Sequence, residues 1–176
     1  LAGPPVRMAL STGMVMSIAA DPKGSRAAIV FVASKPNQMG VAMGDPGALM
    51  VVDASKQTVR TIAEFEATPW SVTASPDGST LAIGLSEDKK SFVRLLNWDG
   101  EAMFESPHAL DATLDDWTEL GLVLLHQEFD DDFNATSSYF AWKPPTAPIP
   151  TDAPASSGPH GHFEIRAEGS RPSARR

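Results

Sequence analysis

The stretch from residue 130 to residue 134 is rich in side chains that could bind a hard cation. It contains three consecutive aspartates followed by Phe133 and Asn134, and carboxylate and amide oxygens are the ligands that Ca²⁺ prefers. The stretch lacks the spaced aspartates and the glycine of an EF-hand loop, and three adjacent carboxylates repel one another. We therefore expect a solvated acidic turn. The alternative is a Ca²⁺ site that uses Asp130, Asp132 and Asn134.

The histidines provide a second candidate for metal chemistry. His160 and His162 are separated by one glycine, so two imidazoles could reach the same ion, yet no third ligand lies nearby in the sequence. His126 follows an apolar stretch, and we interpret it as a hydrogen-bonded strand-end residue rather than a catalytic base. We predict no cofactor, with Ca²⁺ as the alternative.

Residue patterns typical of nucleophilic catalysis and phosphate binding are absent from the sequence. It has no Gly-x-Ser-x-Gly elbow and no Gly-x-x-x-x-Gly-Lys loop. It also has no cysteine, which excludes disulfides, thiolate catalysis and cysteine-ligated zinc. A non-catalytic role is favoured, and an enzyme is the alternative.

The composition is typical of one globular domain. The chain has 176 residues, of which 42% are hydrophobic and 20% charged, and its formal net charge is -8. Such a charge disfavours nucleic acid as a partner, because phosphate contacts need clustered lysine and arginine. No apolar run approaches the roughly 18 residues of a transmembrane helix.

An internal repeat organises the first half of the chain. Residues 17–29 and 71–83 align without a gap, sharing Ser, Ala, Pro, Gly, Ser, Ala and Ile. Each copy has an apolar run, a Pro-Lys-Gly or Pro-Asp-Gly turn and a second apolar run. Proline presets φ and glycine tolerates a positive φ, so each copy predicts a strand, a turn and a strand. The predicted structural turn residues are Pro22, Gly24, Pro76, Asp77 and Gly78.

A third copy, at residues 112–125, is weaker. Asp115, Asp116 and Trp117 stand where the turn is expected, and the most apolar stretch of the chain follows at residues 120–125. Between the copies, residues 48–62 and 92–104 each read as a further hairpin. The sequence thus predicts units of four short strands. The tryptophans are expected to pack within these units rather than to form a ligand site: Trp70, Trp98, Trp117 and Trp142.

Four-stranded units of this size are typical of β-propeller blades. "SPDGSTLAIG" at residues 75–84, followed by "FVRLLNWDGE" at 92–101, resembles one blade of the WD-repeat-like, TolB-like propellers, in which such a turn joins the two inner strands. The resemblance implies an all-β array of about three four-stranded antiparallel blades. It implies little about activity, because scaffolds, periplasmic transport-associated proteins, peptidases and lactonases share the fold. The expected blades are about 14–66, 67–107 and 108–143.

Three blades leave two ends open where a closed propeller has four to eight blades. Open sheet edges favour association, so three alternatives follow: a partner chain, a second copy that completes a six-bladed ring, or the rest of a longer chain. The connection at residues 33–47 is interpreted as a tolerated insertion, with a functional loop as the alternative.

The composition changes after Lys143. Six prolines occur between residues 144 and 159, and four arginines follow by residue 176, so we predict a propeller-like domain at 1–143 and a Pro-rich extended arm with a basic tail at 144–176. Residues 163–166 could add one strand to this sheet or a neighbouring one.

The predicted function is a non-catalytic interaction or scaffold subunit that joins a larger assembly through its open blade edges and its arm. The alternative is part of a larger propeller enzyme or ligand-binding protein, such as a hydrolase, a lactonase or a TolB-like periplasmic protein, with its site at the central channel. The chain starts at Leu1, consistent with a mature exported protein or an internal fragment. We expect a periplasmic or extracellular location, or else a soluble subunit of a membrane-associated complex.

Overall fold

The computed structural model describes residues 13–33, 45–88, 90–131 and 133–151, which contain twelve β-strands and no helix. Several predictions fall outside these ranges: those for Asp132, for His160 and His162, for the strand at 163–166, for most of the connection at 33–47, and for the predicted arm and basic tail after residue 151. Within the described ranges, no helix is long and apolar enough to cross a membrane.

The strands form three four-stranded antiparallel sheets, each ordered as a simple meander, which confirms the predicted all-β array. Sheet 1 contains β1 (Met14–Ala20), β2 (Arg26–Val32), β3 (Gly47–Asp53) and β4 (Thr58–Phe65). Sheet 2 contains β5 (Thr68–Ala74), β6 (Thr80–Glu87), β7 (Lys90–Asn97) and β8 (Ala102–Glu105). Sheet 3 contains β9 (Thr113–Thr118), β10 (Gly121–Phe129), β11 (Ala135–Trp142) and β12 (Ile149–Thr151).

The sequence repeat is also a repeat of hydrogen bonds. In the β1–β2 turn the Gly24 N–H donates to the Asp21 carbonyl at 2.6 Å, and in the β5–β6 turn the Gly78 N–H donates to the Ser75 carbonyl at 2.8 Å. Both glycines have a φ of 70°, the left-handed conformation that glycine adopts most readily. The ladders also share a β-bulge at equivalent positions, Val15–Ser17 and Pro69–Ser71.

The first hairpin of sheet 3 departs from the prediction. Asp115, Asp116 and Trp117 lie within β9, and the turn consists only of Glu119 and Leu120. These three residues offer neither proline nor glycine to turn the chain, and Trp117 packs against the apolar cluster shared with sheet 2. The strand therefore continues to Thr118, and the structure corrects the predicted turn position.

Sheet 3 extends past residue 143, where the arm is predicted to start. Its fourth strand, β12, pairs with β11 through Ile149, Pro150 and Thr151. Proline has no N–H for a second neighbour, which suits a strand at the edge of a sheet. The Pro-rich stretch thus supplies the outer strand of the third unit.

Two apolar layers hold the three sheets together. Sheet 2 lies in the middle, and seven of the eight residues of β6 are buried. The layer between sheets 1 and 2 is built from residues such as Val30, Leu49, Val51, Leu81 and Ile83. The layer between sheets 2 and 3 is built from Ala82, Val93, Leu114, Leu122, Leu124 and Trp142. Successive side chains along the strands of sheet 2 point to opposite faces, so the same strands contribute residues to both layers.

Candidate functional site

The first strands of the three sheets line one open groove. Residues 17–20 of β1, 72–74 of β5 and 115–119 at the end of β9 form its walls, together with Pro22 and Pro76 of the two repeated turns. Its volume is about 700 Å³, within the range of small-molecule sites. The sequence repeat places β1 and β5 in equivalent positions, so the groove follows from the way the units associate.

Hydroxyl groups connect the strands that line the groove. The Ser71 Oγ donates to the Leu114 carbonyl at 2.9 Å, and the Thr73 Oγ1 donates to the Asp116 carboxylate at 3.3 Å, which joins β5 to β9. On the other side, the Val72 N–H donates to the Ser17 Oγ at 3.3 Å, which joins β5 to β1. These bonds fix the three strands around the groove.

The third wall of the groove is acidic because it carries Asp115, Asp116 and Glu119. Asp115 remains exposed, and partial removal from water together with the neighbouring Asp116 carboxylate raises its pKa above the usual value. A carboxyl group with a raised pKa in a cleft is typical of ligand-binding and catalytic sites, and also occurs in structural clusters. Sequence reasoning missed this wall, because it placed the two aspartates in a turn.

The predicted Ca²⁺ ligands Asp130 and Asn134 lie together at the tip of the β10–β11 hairpin. The Asn134 backbone N–H donates to the Asp130 Oδ1 at 2.8 Å, and the Asn134 Nδ2 donates to the Asp130 Oδ2 at 2.9 Å. The carboxylate is thus engaged by its own turn. In the described part of the chain, no group of three His, Asp or Glu side chains is placed to hold a metal ion.

His126 lies within β10 and is hydrogen-bonded at both ring nitrogens. Its Nδ1 contacts the Asp111 carbonyl, and its Nε2 lies 3.3 Å from the Glu128 carboxylate. The Asp111 carbonyl and then Glu128 raise the pKa of His126 by stabilising the protonated ring. This arrangement ties β10 to the segment before β9, and His126 does not line the groove.

Polar contacts join the two repeated turns across the layer between sheets 1 and 2. Asp21 is fully buried and accepts hydrogen bonds from the Lys23 N–H at 3.0 Å and the Arg26 guanidinium at 3.1 Å. The Arg26 guanidinium lies 4.3 Å from the centre of the Trp98 ring, and the Trp98 indole N–H donates to the Gly78 carbonyl at 3.0 Å. We call Asp21, Arg26, Trp98 and Gly78 the turn clasp.

The other predicted turn residues and tryptophans occupy varied environments. The Asp77 carboxylate accepts hydrogen bonds from the Ser75 hydroxyl at 2.6 Å and the Ser79 N–H at 2.9 Å, and these lower the pKa of Asp77 to about 2. Trp98 and Trp142 are buried as expected, whereas Trp70 is 36% exposed. The turn clasp itself had no signal in the sequence, because its members come from distant segments.

Comparison with known proteins gives fold relatives only. No family model and no curated protein matches the sequence. The chain is similar in structure to the β-propeller domain of the Trilobed protease from Pyrococcus furiosus, described as having an open velcro topology, with a TM-score of 0.53, 12% identity and 79% of this chain covered. It is also similar to TolB from Acinetobacter baumannii, with a TM-score of 0.50, 14% identity and 76% coverage.

The three sheets are blades of a β-propeller. The matched region spans 43% of the protease chain and 31% of the TolB chain, so the described blades correspond to only part of either relative. At this level of identity, the comparison establishes the fold and carries no information about chemistry. In this fold the groove lined by β1, β5 and β9 lies along the inner strands of the blades.

Proposed function

We propose that this chain is a non-catalytic interaction or scaffold subunit that joins a larger assembly through its open blade edges and through the C-terminal arm predicted at 144–176. The partner is another protein or a second copy of the chain. The structural similarity to propeller domains supports an interaction role at this general level, because propellers present broad faces for binding.

The observation that carries the proposal is the chemistry of blade 1. Its central strands β2 and β3 are apolar and largely buried on both faces, although blade 2 packs on only one of them. A sheet that faces water on one side shows alternating polar and apolar residues, whereas a sheet covered on both sides does not. Blade 1 therefore has the sequence of an internal blade. The outer face carries Ala27, Ile29 and Val52, with Val59 packed against them; this separate cluster is already buried in the chain itself, so a partner would meet the margin of the face and not its centre.

The margin of this outer face is accessible. Val15 and Ile18 on β1 pair with Phe31 and Ile29 of β2 and so share the outer face, and each is 37% exposed. Exposed apolar side chains beside a continuous apolar sheet are typical of surfaces that bind other proteins. The accessible margin of this face, at Val15 and Ile18, is the proposed principal contact.

The test exploits the absence of cysteine from the chain. A Val15→Cys variant carries one thiol at the margin of the outer face, and a Leu120→Cys variant carries one in the exposed β9–β10 turn as a matched control. Each is treated with a maleimide, once as the isolated full chain and once in the assembly purified from its source. We expect the thiol at position 15 to react in the isolated chain and to be protected in the assembly.

The control shows whether protection from the maleimide is specific to position 15. The thiol at position 120 should react equally in both samples, because Leu120 is 64% exposed and lies away from the proposed contact. Equal reactivity of position 15 in the two samples, or a source sample whose native mass equals that of the free chain, contradicts the proposal.

A second candidate function is ligand binding or catalysis in the central groove, with the chain as part of a larger propeller. The groove volume of about 700 Å³ and the raised pKa of Asp115 favour it. Native mass spectrometry of the source protein tests this candidate. A bound small molecule that is lost in an Asp115→Asn variant and kept in a Leu120→Ser control supports a groove site, whereas no retained molecule in the wild type opposes it.

The proposed location is periplasmic or extracellular, with a soluble subunit of a membrane-associated complex as the alternative. The TolB-like repeat supports this proposal. Fractionation of source cells with an antibody against the chain tests it, and recovery with cytoplasmic markers alone contradicts it.

A further inference from the structure

The hairpin formed by the ends of β10 and β11 projects from blade 3 as a two-stranded ribbon. The pairing of β10 with β9 ends at Leu125, and β12 pairs with β11 only from Tyr139 onward. Among the described residues, positions 126–129 and 135–138 therefore pair only with each other. We call residues 126–131 and 133–138 the ribbon. An isolated two-stranded ribbon is only marginally stable in water, so its exposed apolar residues are not explained by its own folding.

The tip of the ribbon exposes two aromatic rings. Phe129 is 63% exposed and Phe133 is 86% exposed, which makes Phe133 the most exposed large hydrophobic residue of the described chain. Burying a phenylalanine side chain contributes about 1.5–3 kcal/mol, and neither ring gains this in the free protein. Aromatic side chains that gain burial only on association are typical of residues that dominate binding.

The turn that carries Phe133 is closed by several hydrogen bonds. The Phe133 N–H donates to the Asp130 carbonyl at 3.0 Å, and the Asp130 N–H donates to the Asn134 carbonyl at 3.1 Å. The Asp130 carboxylate also accepts hydrogen bonds from the Asn134 backbone N–H and from the Asn134 side-chain amide. Within this frame Phe133 has a φ of 62°, a conformation that favours glycine or asparagine over an aromatic residue. Glycine or asparagine at this position would stabilise the turn more than phenylalanine does, so the stability of the fold does not explain Phe133.

We propose that the ribbon is a docking finger that inserts Phe129 and Phe133 into an apolar pocket of a partner protein, and that lysine or arginine residues border this pocket. Glu128, Asp130 and Asp131 lie close to the two phenylalanines in the sequence, and the whole chain carries a charge of -8, so a basic rim is complementary. The same charges repel an anionic membrane surface, which disfavours lipid as the occupant. The contact is separate from the outer face of blade 1.

Photo-crosslinking on the full chain in its source cells identifies the occupant. The photoreactive residue p-benzoylphenylalanine replaces Phe133 in one variant and Leu120 in the control; Leu120 is similarly exposed but lies at the opposite end of β10. We expect position 133 to capture one protein, with the crosslinked peptide in an apolar surface that contains Lys or Arg, and position 120 not to capture it. Capture of lipid, of a second copy of this chain, or of the same proteins at both positions overturns the proposal.

Binding measurements on the captured protein then quantify the contact. The variant with Phe129→Thr and Phe133→Asn should bind at least about tenfold more weakly, and Leu120→Ser should bind like the wild type. Wild-type affinity should fall as salt is added, because the rim is charged. The variant should remain folded, since asparagine tolerates the φ at position 133. Unchanged affinity of a folded variant overturns the proposal, and it leaves the thiol-protection result at position 15 unaffected.

Discussion

Blade 2 packs against blade 1 on one face and against blade 3 on the other, and these two interfaces are built differently. The interface with blade 1 combines an aliphatic layer with the turn clasp, in which buried Asp21 orients Arg26 over Trp98. The interface with blade 3 has a smaller buried cluster and an edge-on contact between Phe104 and Trp142, with ring centres 5.8 Å apart.

The difference follows from the turns. Blades 1 and 2 each carry the Pro-x-Gly turn, and the two turns meet in the clasp, whereas blade 3 has a two-residue turn with no counterpart to Asp21. Stability is therefore expected to be concentrated in the pair of blades 1 and 2. Blade 3, which carries the acidic groove wall and the ribbon, is expected to open more readily, as segments that bind ligands or partners often do.

The largest expected effect is that of Trp98→Ala. This residue is 4% exposed, supports Arg26 with its ring and donates to the Gly78 carbonyl. Its truncation should lower the free energy of unfolding by about 3–5 kcal/mol, measured by urea denaturation. Trp70→Ala is the matched control, because that ring is partly exposed. Equal losses for both variants would contradict the role assigned to the clasp.

Truncation of Trp142 should destabilise the interface between blades 2 and 3 and leave the interface between blades 1 and 2 intact. The ring is 4% exposed, contacts Phe104 and donates to the Thr146 carbonyl at 2.6 Å. Its replacement by alanine should cost about 3 kcal/mol, at the lower end of the range for large aromatic residues. Hydrogen exchange should show loss of protection in β9–β11 while β1–β7 stay protected. A uniform loss of protection across all three blades would show that the blades unfold as one unit.

Gly78→Val should lower the melting temperature more than Gly24→Val does. Both glycines have a φ of 70°, so the backbone cost of about 1–3 kcal/mol is shared. A Cβ at Gly78 would also lie 2.8 Å from the Asp21 Oδ1, whereas one at Gly24 would meet nothing within 4 Å. Thermal denaturation of Gly78→Val and Gly24→Val measures the difference. Equal melting temperatures would show that the two turns are not in close steric contact.

The smallest expected effect is pH-dependent and concerns Asp21. Burial acts to raise its pKa, but the hydrogen bonds from Lys23 and Arg26 and the charge of Arg26 outweigh it, and the pKa lies below its usual value. A lowered pKa in the folded state means that the carboxylate stabilises the fold above about pH 4, and that this contribution is lost as the pH falls through the folded-state pKa.

Asp21→Asn should therefore be less stable than the wild type by about 1–2 kcal/mol at pH 7. This difference in the free energy of unfolding should become smaller below about pH 4. Urea denaturation at several pH values measures it. Asp131→Asn, at the exposed ribbon tip, serves as the control and should show no comparable gap at pH 7. A gap for Asp21→Asn that is constant with pH would mean that packing, not charge, is the contribution of Asp21.

Local signals in the sequence were sufficient for most of the fold. The Pro-x-Gly turns near Gly24 and Gly78, the runs of β-branched and apolar residues and the repeat of residues 17–29 at 71–83 predicted the hairpins and their grouping into fours. These features act through nearest neighbours: proline and glycine restrict the chain where they stand, and alternation places apolar side chains on defined faces.

Contacts between distant segments decided the remainder. Asp115 and Asp116 lie in a strand because Trp117 packs on blade 2, and Ile149–Thr151 form a strand because β11 offers them an edge. The sequence by itself determined the repeated four-stranded units. Only the tertiary structure determined the turn clasp, the groove and the ribbon. Each of these features depends on which strands, distant in the sequence, lie next to one another. Local propensity does not encode that arrangement.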